Sequence, residues 1–412
     1  MGEQLAIEGG APVRTRPFPS RGEGMGEEEL AQLAEVVRSG HLFRVQGKKT
    51  ATLEEQFAEV LGVKHAHAVT SGTAAIHTAV AAINPDPGDE IITTPMTDMG
   101  TVIGIIFQNA IPIFADVVPN GYHLDPESVR RAITPRTRAI IVVHLWGMAA
   151  DMEAFLAIGE EHGIPIIEDC AQAYLTDYRG RWVGAMGAMG CFSLQQSKHI
   201  TCGDGGLVVT DRDDLADRAR LFADKGWDRS GEDRGHAFLG MNYRITELQS
   251  AVALAQMGKL KEFVSRRRAL GDALTAQISG IPGLHPPPTS AEAGSTYWFY
   301  PVLVRESEFG MSRERFVAAL SAEGVPAWVW LAGKPLYAFD ALRLQRTFGR
   351  SHHPFDCPCA SRRVEYAPGL CPNAEQTLRE LVVLTVHEFY QEQDIADMAA
   401  AIRKVAAAAR RA

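Results

Sequence analysis

A lysine that closes a short segment and is followed at once by a glycine cluster is the most chemically pointed feature of this sequence. The segment reads Cys191-Phe192-Ser193-Leu194-Gln195-Gln196-Ser197-Lys198, and Thr201-Cys202-Gly203-Asp204-Gly205-Gly206 comes next. A lysine amine taken out of water loses basicity and becomes a Schiff-base nucleophile. An exposed loop lysine, the commoner fate, has no such reactivity. Upstream, Glu168-Asp169 ends a strongly apolar run. Two adjacent acids are costly if desolvated and unpaired, so an acid here holds a cationic ring nitrogen or both bond neighbouring loop backbone. Ser71-Gly72-Thr73 sits between a strand-like and a helix-like stretch. There glycine permits close backbone approach, and the free N–H groups of a helix start can hold a phosphate. The plainer reading is a helix cap from Ser71 or Thr73. The nicotinamide fingerprint GxGxxG is absent from this turn. Asn242 and Arg244, in Gly240-Met241-Asn242-Tyr243-Arg244, read on their own as turn and surface residues.

These residues need elements to hold them. From about residue 52 to 210 strands and helices alternate: a helix at Thr52–Leu61, a strand at His65–Thr70, a helix at Thr73–Ile83, a strand at Glu90–Thr94. An apolar helix around Thr101–Gln108, a strand at Ile111–Ala115, a helix at Asp125–Ile133 and a strand at Ala139–Leu145 continue the series, before a helix at Asp151–His162 and a strand at Ile164–Glu168. Such alternation implies a mainly parallel sheet covered on both faces, and the unbroken apolar runs Ile140-Ile141-Val142-Val143 and Ile164-Pro165-Ile166-Ile167 suit two-sided burial. Ligands of such sheets bind beyond the carboxyl ends of the strands, which is where the chemically suggestive residues fall. A helix at Glu27–Ser39 precedes the series, and helical periodicity is long between Thr246 and Ile278. The stretch Ile281–Thr289, with four prolines, reads as a turn or linker. Beyond it come a strand at Tyr297–Arg305 and helices at Ser312–Ala322 and Asp394–Ala408. The expected organisation is a large α/β domain over residues 1–265 and a smaller α+β domain over 266–412.

Composition sets the outer bounds. The chain has 412 residues, 46% hydrophobic and 22% charged, with a formal net charge of −9. Those are values of a globular protein long enough to bury a large core. Lysines and arginines are scattered, which argues against a nucleic-acid or anionic-membrane surface. The most apolar stretch, Thr101 to Phe114, is interrupted by Gln108 and Asn109 and is too short to span a bilayer. The first ten residues contain Glu3 and Glu8 and no apolar core of a signal peptide. The six cysteines form no dense framework, so reduced thiols in the cytoplasm are expected. A metal site at Cys357-Pro358-Cys359 with Cys371 and His352 or His353 would need tighter cysteine spacing than zinc sites use; no metal is expected.

Taken together and in order, these motifs resemble the DegT/DnrJ/StrS family of pyridoxal-phosphate-dependent sugar and cyclitol aminotransferases. The likeness runs from Gly9-Gly10-Ala11-Pro12-Val13 through Ser71-Gly72-Thr73-Ala74-Ala75 and Ile167-Glu168-Asp169-Cys170-Ala171-Gln172-Ala173. It continues through Phe192-Ser193 with Lys198, Gly203-Asp204-Gly205-Gly206 and Asn242-Tyr243-Arg244. It implies the fold-type-I architecture, a mixed, mostly parallel seven-stranded sheet with a smaller C-terminal domain. It also implies roles: Lys198 as the lysine that carries the cofactor and shuttles the proton, Asp169 as partner of the pyridinium nitrogen, and Gln172 near the phenolic oxygen. Gly72, Thr73 and Ser193 become the phosphate cradle, and Asn242 a residue reaching the phosphate in the neighbouring subunit, so a homodimer with shared active sites is expected. Amino donor and acceptor would be glutamate or glutamine and a keto-cyclitol or keto-sugar.

The sequence departs from the family at Pro95-Met96-Thr97-Asp98-Met99-Gly100, where the family places an aromatic residue that stacks on the cofactor ring. Asp98 stands at that place and cannot stack; Met99, beside it, has a thioether that can pack on a ring. A smaller departure is Ala173-Tyr174-Leu175, where the family often has His followed by Gly-Ala. Gln195-Gln196-Ser197-Lys198, together with Gly333-Lys334-Pro335-Leu336-Tyr337 and Cys371-Pro372-Asn373-Ala374-Glu375, is similar to members that aminate keto-cyclitols such as inososes. The alternative acceptor is a nucleotide-linked keto-sugar, whose diphosphate would call on Lys48-Lys49 or on Arg350 with His352-His353. A non-catalytic regulator on this fold, and a dehydratase with His in place of the lysine, are both disfavoured by Lys198.

Overall fold

The computed structural model describes residues 4–229, 235–360 and 362–410. Strands run in chain order as β1 His65–Val69, β2 Glu90–Thr93, β3 Ile111–Phe114, β4 Thr137–Val143, β5 Ile166–Asp169, β6 Asp177–Tyr178, β7 Arg181–Trp182, β8 Met189–Ser193 and β9 Gly206–Thr210. Seven of them form one sheet in the order β1-β9-β8-β5-β4-β2-β3, and β6 pairs with β7 as a small hairpin. The pairings β2–β3, β2–β4, β4–β5 and β5–β8 are parallel, while β9 runs antiparallel to both its neighbours. The sheet is therefore mixed and mostly parallel. All strands except β9 end at one edge, and β9 begins there. Ser71, Asp98, Asp169, Ser193 and Asp204 thus collect at the same rim although up to 133 positions separate them in the chain (204 − 71).

Apolar sequence explains the layers. Ile140, Ile141 and Val142 of β4 and Ile167 of β5 are fully buried, as strands covered on both faces must be. Helix Gly72–Ile83 carries Ala74, Ala75, Ile76, Ala79 and Val80 into one such layer, where small side chains let it lie close to the sheet. Helix boundaries follow local chemistry. Ser71 Oγ accepts the Ala74 N–H at the start of this helix (3.0 Å). Asn84, in the left-handed region, ends it.

The second sheet, β10 Leu284–His285, β11 Tyr300–Val304, β12 Ala327–Trp328 and β13 Leu381–Leu384, has the order β10-β11-β13-β12 and is antiparallel throughout. Its alternation decides two interfaces. Leu303, Leu381 and Val383 face the core of the first sheet, whereas Val302, Val304, Val382 and Leu384 face a separate core closed by the helix Glu392–Ala409. The helix Glu247–Ile278 joins both regions. Met257, Leu260, Phe263 and Val264 pack with the first sheet, and Leu270, Leu274 and Ile278 with the second. The expected division at 265/266 falls inside this helix. Residues near the N-terminus, grouped in the sequence with the large domain, lie instead on the C-terminal region. Leu5 is buried in its core, and the guanidinium of Arg14 pairs with Asp394 at 2.8 Å and Asp397 at 2.7 Å.

One expectation is corrected. Cys357 and Cys359 are joined by a disulfide, with Cα atoms 5.1 Å apart, because a single intervening proline leaves both side chains within bonding reach. Cys170, Cys191 and Cys371 are free and buried, and Cys202 is free and half-buried. No helix among the described residues is long and apolar enough to cross a membrane.

Candidate active site

At the carboxyl rim of the first sheet lies a cavity of about 390 Å3 lined by Gly72, Thr73, Asp98, Asp169, Gln172, Ser193 and Lys198, among others. Its residues come from several strand ends: Gly72 and Thr73 follow β1, Asp98 follows β2, Asp169 and Gln172 lie at and beyond the end of β5, and Ser193 and Lys198 at and beyond the end of β8. One wall is the start of helix Gly72–Ile83. A Cβ at Gly72 would stand 2.7 Å from Ser193 Cβ, so only glycine allows this turn and the end of β8 to meet. Ser71 caps the helix through Ala74, and the N–H groups of Gly72 and Thr73 have no partner within the helix. Of the two readings the sequence offered, the cap is present on Ser71, and the N–H groups beside it remain available to an anion. Ser193 is held by Tyr174, whose hydroxyl donates to the Ser193 carbonyl at 2.9 Å. That gives the unexpected tyrosine after Ala173 a place in the architecture.

The acidic pair separates by strand alternation. Glu168 points into the protein. Its carboxylate accepts from His144 Nε2 (3.0 Å) and from the backbone N–H groups of Gly184, Met186 and Gly187. Burial pushes its carboxyl up, but the bonds from His144 and the backbone outweigh this and leave it below the ordinary range. His144 Nδ1 accepts the Ala150 N–H, so in the His144–Glu168–Cys170 cluster both imidazole nitrogens and the carboxylate are taken up by protein. Asp169 faces the cavity. Thr101 Oγ1 donates to Asp169 Oδ2 at 2.7 Å, and Ala171 N–H donates to Oδ1 at 3.1 Å. Burial raises the Asp169 carboxyl, opposed by those two bonds and by the charge of Lys198. A buried acid of this kind gains most from a cationic partner.

Lys198 ends a turn after β8. Burial lowers its amine to about 8, with Asp169 and Asp98 acting against the shift and Arg21 adding to it. Such an amine is partly neutral near neutrality and can attack a carbonyl or take a proton. Gln172 accepts the Trp146 N–H through Oε1 at 2.8 Å, which leaves its amide nitrogen as the free donor.

The structure separates Asp98 from Met99. Asp98 lines the cavity, accepting the Gly100 N–H at 2.8 Å, whereas Met99 is outside the lining and packs on the apolar core beside the sheet. Asn242 also lies outside this chain's own cavity, exposed and bridged to Asp224. Trp298, absent from the sequence reading, lines the cavity over Lys198. Its only local signal is an aromatic residue leading into a strand. The residues weighed as a metal site do not converge. Cys357 is bonded to Cys359, Cys371 lies under Phe114, and His353 is bonded to Asn109.

Comparison with known proteins gives the family. The family described as the DegT/DnrJ/EryC1/StrS aminotransferase family matches residues 23–403. A protein of Streptoalloteichus tenebrarius assigned as an L-glutamine:3-amino-2,3-dideoxy-scyllo-inosose aminotransferase is 38% identical over 331 residues, 79% of each chain. A protein of Micromonospora echinospora with the same assignment is 39% identical over 334 residues, again 79% of each. Among solved structures, S. venezuelae DesV, in complex with a ketimine intermediate, superposes with a TM-score of 0.84 at 28% identity, covering 95% of this chain and 99% of that one.

Proposed function

The chain belongs to the DegT/DnrJ/EryC1/StrS aminotransferase family and is a pyridoxal-phosphate-dependent aminotransferase; from that premise we propose that it moves an amino group from glutamine or glutamate to the keto carbon of a cyclitol. The observation that carries the site assignment is the meeting of Lys198, Asp169 and the Gly72–Ser193 approach in one cavity. These residues fit the cofactor. Gly72, Thr73 and Ser193 would hold its phosphate, Asp169 its ring nitrogen, Gln172 its phenolic oxygen, and Lys198 would form the covalent link. Bound there, pyridoxal phosphate supplies an electron sink for the bond to the carbon that loses or gains the amino group. The protein's part is positional and acid–base. Asp169 would keep the ring nitrogen cationic, and Thr101 holds Asp169 in place. The Lys198 amine would take the proton from the donor's Cα and deliver it to the carbon on the other side of the amino nitrogen, two atoms away, and would run the same transfer in reverse on the ketone.

The cyclitol reading rests on the likeness to the two proteins assigned as inosose aminotransferases and on the charge of the site. Lys198 is the only Lys or Arg among the described residues lining the cavity. Lys49, a candidate for holding a diphosphate, is engaged by Glu35 and by Gln32 Oε1 at 2.6 Å. A compact uncharged or amino-bearing ring suits such a cavity better than a nucleotide diphosphate. Loading the enzyme with amino groups from glutamine and adding ketones tests this through loss of the aminated-cofactor absorbance. Keto-inositols should discharge it at least about tenfold faster than nucleotide-linked keto-sugars; the opposite order would overturn the cyclitol assignment.

The same proposal includes a homodimer with shared sites. Asn242 is exposed, as are its chain neighbours Leu239 and Met241, and the exposed Leu42 and Phe43 lie against Glu247 and Arg244 just beyond it; these apolar residues support a second copy covering the region. If Asn242 serves the partner's cavity, mixed dimers of Lys198→Ala and Asn242→Ala contain one site with both defects and one with neither. Activity near half of wild type per hybrid dimer should then return on subunit exchange. With Asn242→Ala itself severely impaired, absence of recovery in confirmed hybrids would refute the arrangement.

A further inference from the structure

Trp298 stands where the active lysine and the C-terminal half of the chain meet. Its indole ring lies over Lys198, with Nζ 3.9 Å from the ring centroid. Its indole N–H donates to the Ser197 carbonyl at 2.6 Å, so the ring is bonded to the peptide unit that precedes the lysine. The tryptophan is in turn held from three directions. Its N–H donates to the Trp146 carbonyl at 3.0 Å, and its carbonyl accepts from Arg21 and from Arg267, each at 3.2 Å. The preceding residue, Tyr297, takes a φ of +46°, a left-handed conformation that bulky residues seldom adopt and that turns the chain just before the indole. Phe299 packs beside the indole with centroids 4.1 Å apart. Trp298 itself is only 7% exposed.

We propose that Trp298 is a positioning residue for amino transfer: it clamps the Lys198 turn through its N–H and holds the lysine ammonium over its ring face. This rests on the reading of Lys198 as the proton-carrying amine. The indole face is an electrostatic partner for the ammonium and not for the neutral amine, so it favours the charged form. Burial favours the neutral form, and the other charges around Nζ divide: Asp169 and Asp98 favour the ammonium, Arg21 disfavours it. The neighbouring His199 ring is bonded to the Thr296 carbonyl, and its own titration is driven well below the usual range by burial. The ring therefore offsets part of the desolvation of Lys198. It keeps the amine able to carry a proton through the transfer instead of losing it permanently to solvent. It also supplies an aromatic wall in a cavity where Asp98 occupies the place of the family's stacking residue.

The test leaves shape and burial unchanged. Replacing the six tryptophans with 5-fluoro- and then 5,7-difluorotryptophan weakens the ring's negative face but keeps its size and N–H. In the full-length, cofactor-free chain, acetic anhydride labelling of Lys198 is followed against pH by peptide mass. The labelling midpoint should fall stepwise with fluorination, by roughly 0.4–1.5 pH units for loss of the whole interaction. In Trp298→Phe, fluorination of the remaining tryptophans should leave the midpoint where it is. A midpoint that ignores fluorination in the wild-type chain, or that shifts equally in Trp298→Phe, overturns the proposal. If the Phe variant does not fold, the wild-type fluorination series decides alone. Failure of the underlying reading is separate, since it would appear as amino transfer by Lys198→Ala.

Discussion

Lys198→Ala is expected to lose about 10⁴-fold or more in amino transfer, because one substitution removes both the covalent attachment point and the acid–base group. The fold should survive. The lysine side chain ends in the cavity and not in the core; its removal takes a favourable charge from Asp169, which Thr101 and the Ala171 N–H still hold. Circular dichroism and the melting temperature would then stay close to wild type while turnover vanishes. Borohydride reduction of the cofactor-loaded wild type, followed by peptide mapping, should mark Lys198 and no other lysine. A small amine such as methylamine should restore part of the proton-transfer rate in the variant, since the space left by the side chain opens into the cavity. Label on a different lysine, or near-normal turnover by the variant, would sink the assignment.

Asp169→Asn should cost about 10²–10³-fold in kcat with much smaller change in donor KM. Asparagine has the shape of aspartate and can still accept the Ala171 N–H, so the site should remain built. What disappears is the negative charge. Thr101 must also redirect its hydroxyl, for which Thr97 Oγ1, 2.6 Å away, is ready. The carboxylate at this position is worth more than an exposed one because it is buried, and an opposite charge placed beside it is poorly screened. Cofactor binding should persist, since the cradle at Gly72, Thr73 and Ser193 is untouched. Presteady-state mixing with glutamine would place the deficit in proton removal. Transamination by Asp169→Asn at near wild-type rate would show that another group supports the ring nitrogen.

The positions of Ser71, Gly72, Asp169, Ser193 and Lys198 were legible because the signals are local. A two-residue alternation or an apolar run marks a strand, a 3.6-residue period marks a helix, and Ser or Gly marks the join. Once strands are parallel, their ends must share an edge, so residues following them meet without any further information. Helix Glu27–Ser39 has the bounds expected from its pattern, and helix Gly72–Ile83 begins one residue earlier than expected because Ser71 caps it. The alternation also requires Glu168 and Asp169 to point oppositely. It does not say which one faces the cavity; the contacts of His144 and the 184–187 backbone with Glu168 do.

Contacts between distant segments lay beyond that reach. Trp298 meets Lys198 across 100 positions (298 − 198), brought there by the way β11 packs against the first sheet. Met99 follows Asp98 directly but turns into the apolar core, since the start of helix Gly100–Phe107 directs the two side chains apart. Leu5 and Arg14 join the C-terminal region because that region supplies the apolar neighbours and the carboxylates of Asp394 and Asp397. The pairing of Cys357 with Cys359 depends on the turn at Pro358 and has no composition signature. Periodicity and capping record what a residue needs from its immediate neighbours. Which of several equally apolar or equally charged surfaces meets it is settled by packing the whole chain at once, where burial and charge pairing over long separations outweigh local preference.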